Sequence, residues 1–125
     1  MHHGFTIALG LAAAALMAPG VVQAQESPPT YKADPDVYKL VFEDMNFRII
    51  SATWQPGQTD KPHSHLSVSV AYALTDCSLR VAAPNGEFAY INTTVGTTST
   101  VAFTPSHTAT NEGTTICRVL LIERK

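Results

Sequence analysis

The chain has 125 residues, eight Lys and Arg against ten Asp and Glu, and a formal net charge of −2. Lys32, Lys39, Arg48, Lys61 and Arg80 are dispersed singly, and the only adjacent basic pair is Arg124-Lys125. No cationic stripe exists to neutralise phosphates, which argues against nucleic acid as a partner, and the charge balance selects no other partner class.

The chain opens with Met1-His2-His3 and then "GFTIALGLAAAALMAPGVVQA". An apolar run, a helix-breaking Pro19-Gly20 and a small-x-small ending at Val22-Gln23-Ala24 have the layout of a secretory signal. Residues 1–24 are therefore expected to be a signal peptide, cleaved after Ala24, although the first three residues lack Lys or Arg. The apolar run is too short and too abruptly broken for a membrane span. The expectation is a secreted or periplasmic protein with no stable membrane span after cleavage. Cys77 and Cys117 would then meet an oxidising compartment, where a lone pair can form a bridge; two small buried thiols are the alternative. C-x-x-C spacing is absent.

Residues 25–37 follow, beginning "QESPPTYKADPD", and read as a linker or an N-terminal arm laid over the surface. The domain proper is expected at 38–125. In "DPDVYKLVFEDMN", Asp34-Pro35 can open a helix, yet Tyr38, Leu40 and Phe42 alternate as a strand does, and strand is preferred. "FRIISATW", "SVSVAYAL", "SLRVAA", "EFAYINTTV", "TSTVAF" and "ICRVLLIE" are rich in Val, Ile, Thr and aromatic residues, which suit a pleated, half-buried surface. Turn signals separate them at Pro56-Gly57, Thr75-Asp76, Pro84-Asn85-Gly86, Val95-Gly96, Thr104-Pro105-Ser106 and Asn111-Glu112-Gly113. Many short strands at regular spacing imply an all-β sandwich or small barrel.

His63 and His65 lie two apart, so on a strand both point to one side and can converge on one ion. The same spacing also occurs by chance on exposed strand ends. In "GQTDKPHSH", a glycine, five residues and His-x-His stand in sequence. This resembles the first motif of the cupin superfamily, G-x5-H-x-H-x3-4-E-x6-G, with Ser69 in the glutamate slot and Asp76 in the last glycine slot. "GTTSTVAFTPSHTATN" resembles the second motif, G-x5-P-x-G-x2-H-x3-N, through Gly96, His107 and Asn111. Ala102 and Thr104 depart from it, with Pro105 beside them. The resemblance spans residues 38 to 124.

What the resemblance implies is a single-domain cupin-type jelly-roll β-barrel, similar to the cupin 2-like conserved barrels. His63, His65 and His107 would line its interior and hold one divalent metal ion: Fe, Mn, Ni, Cu or Zn. Without the glutamate the site is a neutral three-nitrogen set, which weakens its hold on harder ions and favours an anionic ligand in an open position. Some cupins keep the barrel and lose the metal, and Ser69 is too short to replace a carboxylate ligand.

If position 69 faces the lumen, Ala71 and Ala73 do too and leave open space beside the metal. Val68, Val70, Tyr72 and Leu74 then form a second apolar face, to be covered by a homodimer partner, which the resemblance supplies, or by residues 25 to 40. In the jelly roll, the strand ending near Cys77 and the strand containing Cys117 share a sheet, so a disulfide is possible. Trp54 and Phe103 line the barrel mouth or are plain core, and Asn111 fixes a turn or a histidine. No G-x-S-x-G elbow exists, so Asp60, His63 and Ser64 do not suggest a hydrolase. Two functions follow from the resemblance. One is a metal-dependent enzyme of dioxygenase or isomerase type acting on a small organic molecule, with no separate acid or base identified. The other is a non-catalytic binding module for a metal, sugar or small metabolite.

Overall fold

Alternation along two strands lays down the floor of the molecule. In β2 (Phe47–Trp54) Ile50, Ala52 and Trp54 point inward, and in β9 (Cys117–Arg124) Cys117, Val119 and Leu121 do the same. The antiparallel register pairs Ile50 with Leu121, Ala52 with Val119 and Trp54 with Cys117, so each inward residue meets another. Ile50 is wholly buried, which stabilises the fold by about 1.5–3 kcal/mol relative to leaving it in water.

The computed structural model describes residues 25–125 and the single residue Ala14. The expected signal peptide at 1–24 otherwise lies outside the described residues. Among the described residues no helix is long and apolar enough to cross a membrane. The remaining elements are α1 (Thr30–Ala33), β1 (Tyr38–Glu43), β3 (His63–His65), β4 (Ser69–Ala73), β5 (Cys77–Ala82), β6 (Phe88–Thr93), β7 (Thr98–Val101) and β8 (Thr104–Asn111). One sheet runs β1-β2-β9-β4-β7 and the other β3-β8-β5-β6, all pairs antiparallel. Their inner faces enclose a core of Val37, Tyr38, Ile50, Trp54, Leu79, Ala109, Val119 and Leu121. The fold is all-β, a jelly-roll barrel.

Two local features differ from the sequence reading. Thr104-Pro105-Ser106, read as a turn, begins β8, which pairs with β3 on one side and β5 on the other. Pro105 fits because the β3–β8 register slips there, and a bulge needs no proline N–H. The short α1 was not legible, since four residues carry no periodicity. It belongs to the arm 25–37, which runs along the β3 edge. Ser27 N–H donates to Pro105 O at 3.0 Å, Ser64 N–H donates to Pro28 O at 2.9 Å, and Pro29 bridges Ser64 in parallel.

Cys77 and Cys117 form a disulfide with Cα atoms 5.1 Å apart. The strand preceding Cys77, β4, does share a sheet with β9, but Cys77 itself opens β5 in the other sheet. The bridge therefore ties the two sheets together. Forty residues separate the cysteines, and constraining a loop of that length in the unfolded chain contributes about 2–4 kcal/mol.

The arm does not cover the outer face of the five-stranded sheet. Phe42, Ile49, Ile122 and Val70 are successive cross-strand partners there, and Phe42 and Val70 remain exposed. Tyr72 and Leu74 extend the same apolar face.

Candidate metal centre

The loop before β3 is zipped onto β8. Gly57 N–H donates to Asn111 O at 2.8 Å, Asn111 N–H to Gln58 O at 3.0 Å, and Asp60 N–H to Ala109 O at 3.0 Å. Gly57 has φ +78°, which an L side chain rarely adopts, so the turn selects glycine. Gly96, in the turn between β6 and β7, has φ +81° for the same reason. Asn111 fixes the far end: its side-chain amide donates to Trp54 O and Thr115 O and accepts from Gly113 N–H.

This scaffold aims three imidazoles at one point. His63 and His65 share a side of β3, and His63 lies directly across from His107 on β8. One possible ligand atom from each of His63, His65 and His107 lies within 4.8 Å of the others. Their ring centroids are 4.5–5.0 Å apart, each pair near edge-to-face. His63 and His65 are buried and His107 half-buried. Three neutral imidazoles with no carboxylate among them suit a divalent transition ion.

The protonation pattern favours that use. His63 Nδ1–H donates to Lys61 O at 2.9 Å, and its Nε2 points to the cluster. Burial, reinforced by His63 and His107, lowers the His65 pKa to about 3. Burial and His63 lower that of His107 to about 4. Both rings are therefore neutral at pH 7, with lone pairs available. His65 Nδ1 is buried with no hydrogen-bond partner among the described residues. The donor set fits a metal ion.

Behind His63 lies a buried polar network. Tyr38 O–H donates to Asp60 Oδ2 at 2.6 Å and sits 3.2 Å from His63 Nε2. Asp60 also accepts from Trp54 Nε1–H at 3.1 Å and from Ala109 N–H at 2.7 Å. Its Oδ1 is 3.6 Å from His63 Nδ1. Burial and the Asp60 carboxylate push the Tyr38 hydroxyl well above its ordinary pKa, so it stays protonated. Burial raises the Asp60 carboxyl, against the opposing pull of His63 and the three donors.

Sequence reasoning missed both Tyr38 and Asp60. Tyr38 carries no sequence signal, because the strand pairing of β1 brings it in. Asp60, three residues before His63, was the available signal. Ser69 is buried, but its hydroxyl turns to Ser67 O at 2.9 Å, and it does not line the cavity that the histidines line.

The histidines open onto a cavity of about 320 Å³ between the sheets. Ala71 and Ala73 form part of its wall, as the strand parity predicts, together with Leu79, Val81, Val101 and Leu121. Trp54 lines it too. Phe103 does not; it is 73% exposed.

No protein-family profile matches the chain, and no curated protein matches it. Solved structures do. A cupin domain from Bordetella pertussis Tohama I is 19% identical, covers 82% of this chain and 99% of its own length, and superposes with a TM-score of 0.65. A cupin 2 conserved barrel domain protein from Salinispora arenicola is 14% identical over 80% of this chain and 88% of its own, with a TM-score of 0.54. The polyketide cyclase RemF from Streptomyces resistomycificus is 17% identical over 78% and 68%, with a TM-score of 0.53.

Proposed function

From the premise that this chain has the cupin fold, we propose that it is an exported barrel that holds one divalent metal ion through His63, His65 and His107 and acts on a small organic molecule in the adjoining cavity. The observation that carries the reading is the convergence of three buried or half-buried imidazoles within 4.8 Å at the wall of that cavity. A bound ion supplies Lewis acidity and open positions for donor atoms of a substrate. The chain's own groups do the rest. Lys61 O fixes the His63 ring, and the Asp60 carboxylate anchors Tyr38, Trp54 and the β8 backbone. Tyr38 holds a proton at its hydroxyl beside His63.

A dioxygenase or isomerase type of reaction suits this set, because it relies on the metal more than on a separate acid or base. Similarity to a polyketide cyclase supports chemistry on a small organic molecule. A non-catalytic binding module is the second reading, favoured by the lack of a carboxylate at position 69. Oxygen uptake and substrate loss, measured with metal-loaded protein, separate the two. Turnover abolished by His107→Ala supports the enzyme; saturable binding without turnover supports the module.

The Cys77–Cys117 bridge supports the exported part of the proposal, a secreted or periplasmic location, since such bonds persist in oxidising compartments. The exposed row through Phe42 and Val70 supports a homodimer that covers the outer face of the five-stranded sheet with a second copy.

A further inference from the structure

No Lys, Arg, Asp or Glu lines the cavity. Its wall is apolar from Ala71 and Val81 through to Val119 and Leu121, with the three histidines at one side. Hydroxyls of Thr97, Ser99 and Thr100 occur where the lining reaches solvent, on β7 and the turn before it, and Tyr38, Thr93 and Thr104 add less exposed ones to the wall. An ion held by three neutral imidazoles keeps its full charge in these surroundings, so an acidic oxygen donor on the ligand is favoured. Any second charge on the ligand has no partner in the wall and loses its hydration on entry.

We infer that the cavity takes an apolar molecule carrying a single acidic oxygen group directed at the histidine side, and that it rejects sugar phosphates, dicarboxylates and amino acids. The assignment rests on the proposed metal site for the direction of the acidic oxygen, and on the uncharged wall alone for the rejection of other charges. The volume of about 320 Å³ accommodates a molecule of two or three fused rings.

Trp54 is the only tryptophan and lines the cavity, so its emission reports occupancy. The test titrates zinc-loaded and metal-free protein with 2-hydroxynaphthalene, glucose 6-phosphate and succinate, followed by calorimetry and Trp54 emission, after metal content is measured. The expected result is that zinc-loaded protein binds the naphthalene at least about tenfold more tightly than either charged probe. Ala71→Leu and Val81→Phe, each of which fills the cavity from a different wall, are expected to weaken that binding by about tenfold or more without changing zinc content. Equal or tighter binding of glucose 6-phosphate or succinate overturns the inference. So does a folded, zinc-loaded protein with no saturable response to the naphthalene. The metal-free arm separates the two claims. Absent zinc uptake sinks the metal reading, while a retained preference for the naphthalene still upholds the uncharged cavity as the selecting feature.

Discussion

His63 and His107 face each other across the β3–β8 pair with their Nε2 atoms 2.9 Å apart. With His63 Nδ1–H committed to Lys61 O, the neutral tautomer of His63 accepts at Nε2 and His107 Nε2–H donates. One proton thus sits where a metal ion would bind, and in a neutral ring it must shift to Nδ1 before His107 Nε2 can hold an ion.

The pH dependence of the metal-free protein follows from His65 and His107. Their folded pKa values of about 3 and about 4 lie below the unfolded value of 6.5. Between these limits the unfolded chain binds more protons, so stability rises with pH, is fully present above about 6.5, and is lost as pH falls toward 4. Urea midpoints measured from pH 4 to pH 7 should climb steeply over this window. His65→Gln should flatten the climb, and an unchanged slope in that variant would contradict the buried, neutral state of the ring.

Asp60 accepts three hydrogen bonds at a buried site. Asp60→Asn puts an amide donor against Trp54 Nε1–H or Ala109 N–H, for which Asp60 is the acceptor among the described residues. The expected loss is about 2–4 kcal/mol in urea unfolding, with metal affinity weakened about 10–100-fold through the loosened support of His63. Tyr38→Phe removes one hydroxyl from the same network and should cost about 1–2 kcal/mol.

The three histidines of the site were legible and their supporting residues were not, for a physical reason. H-x-H is a local pattern, and Gly57 and Gly96 mark turns whose positive φ only glycine adopts readily. Tyr38 reaches His63 across 25 residues of sequence, through a strand pairing that no local pattern encodes. Among the elements, β2 is read to the residue because its apolar alternation is clean. β8 was hidden because Thr, Ser and Pro dominate it, and its strand character comes from neighbours on both sides rather than from propensity. The disulfide was legible as a possibility only, since the turn at Thr75-Asp76 carries Cys77 into the opposite sheet.

Removing that disulfide tests the staple between the sheets. Cys77→Ala with Cys117→Ala should lower stability by about 2–4 kcal/mol, a fall in Tm on the order of 10–25 °C. Thermal unfolding under reducing conditions should bring wild-type protein to the same Tm as the double variant.

Val70→Lys places a charge at the β4 end of the exposed apolar row without touching the core. Light scattering after gel filtration should give a dimer for the wild-type protein and a monomer for the variant, with circular dichroism unchanged. A monomeric wild type would contradict self-association through this face.

The central claim is tested most directly by elemental analysis of untagged protein purified without chelator, alongside His63→Ala and His107→Ala. The account predicts close to one equivalent of a divalent transition metal per wild-type chain and almost none in either variant. Wild-type protein that takes up no metal after reconstitution, with both variants folded alike, would contradict it.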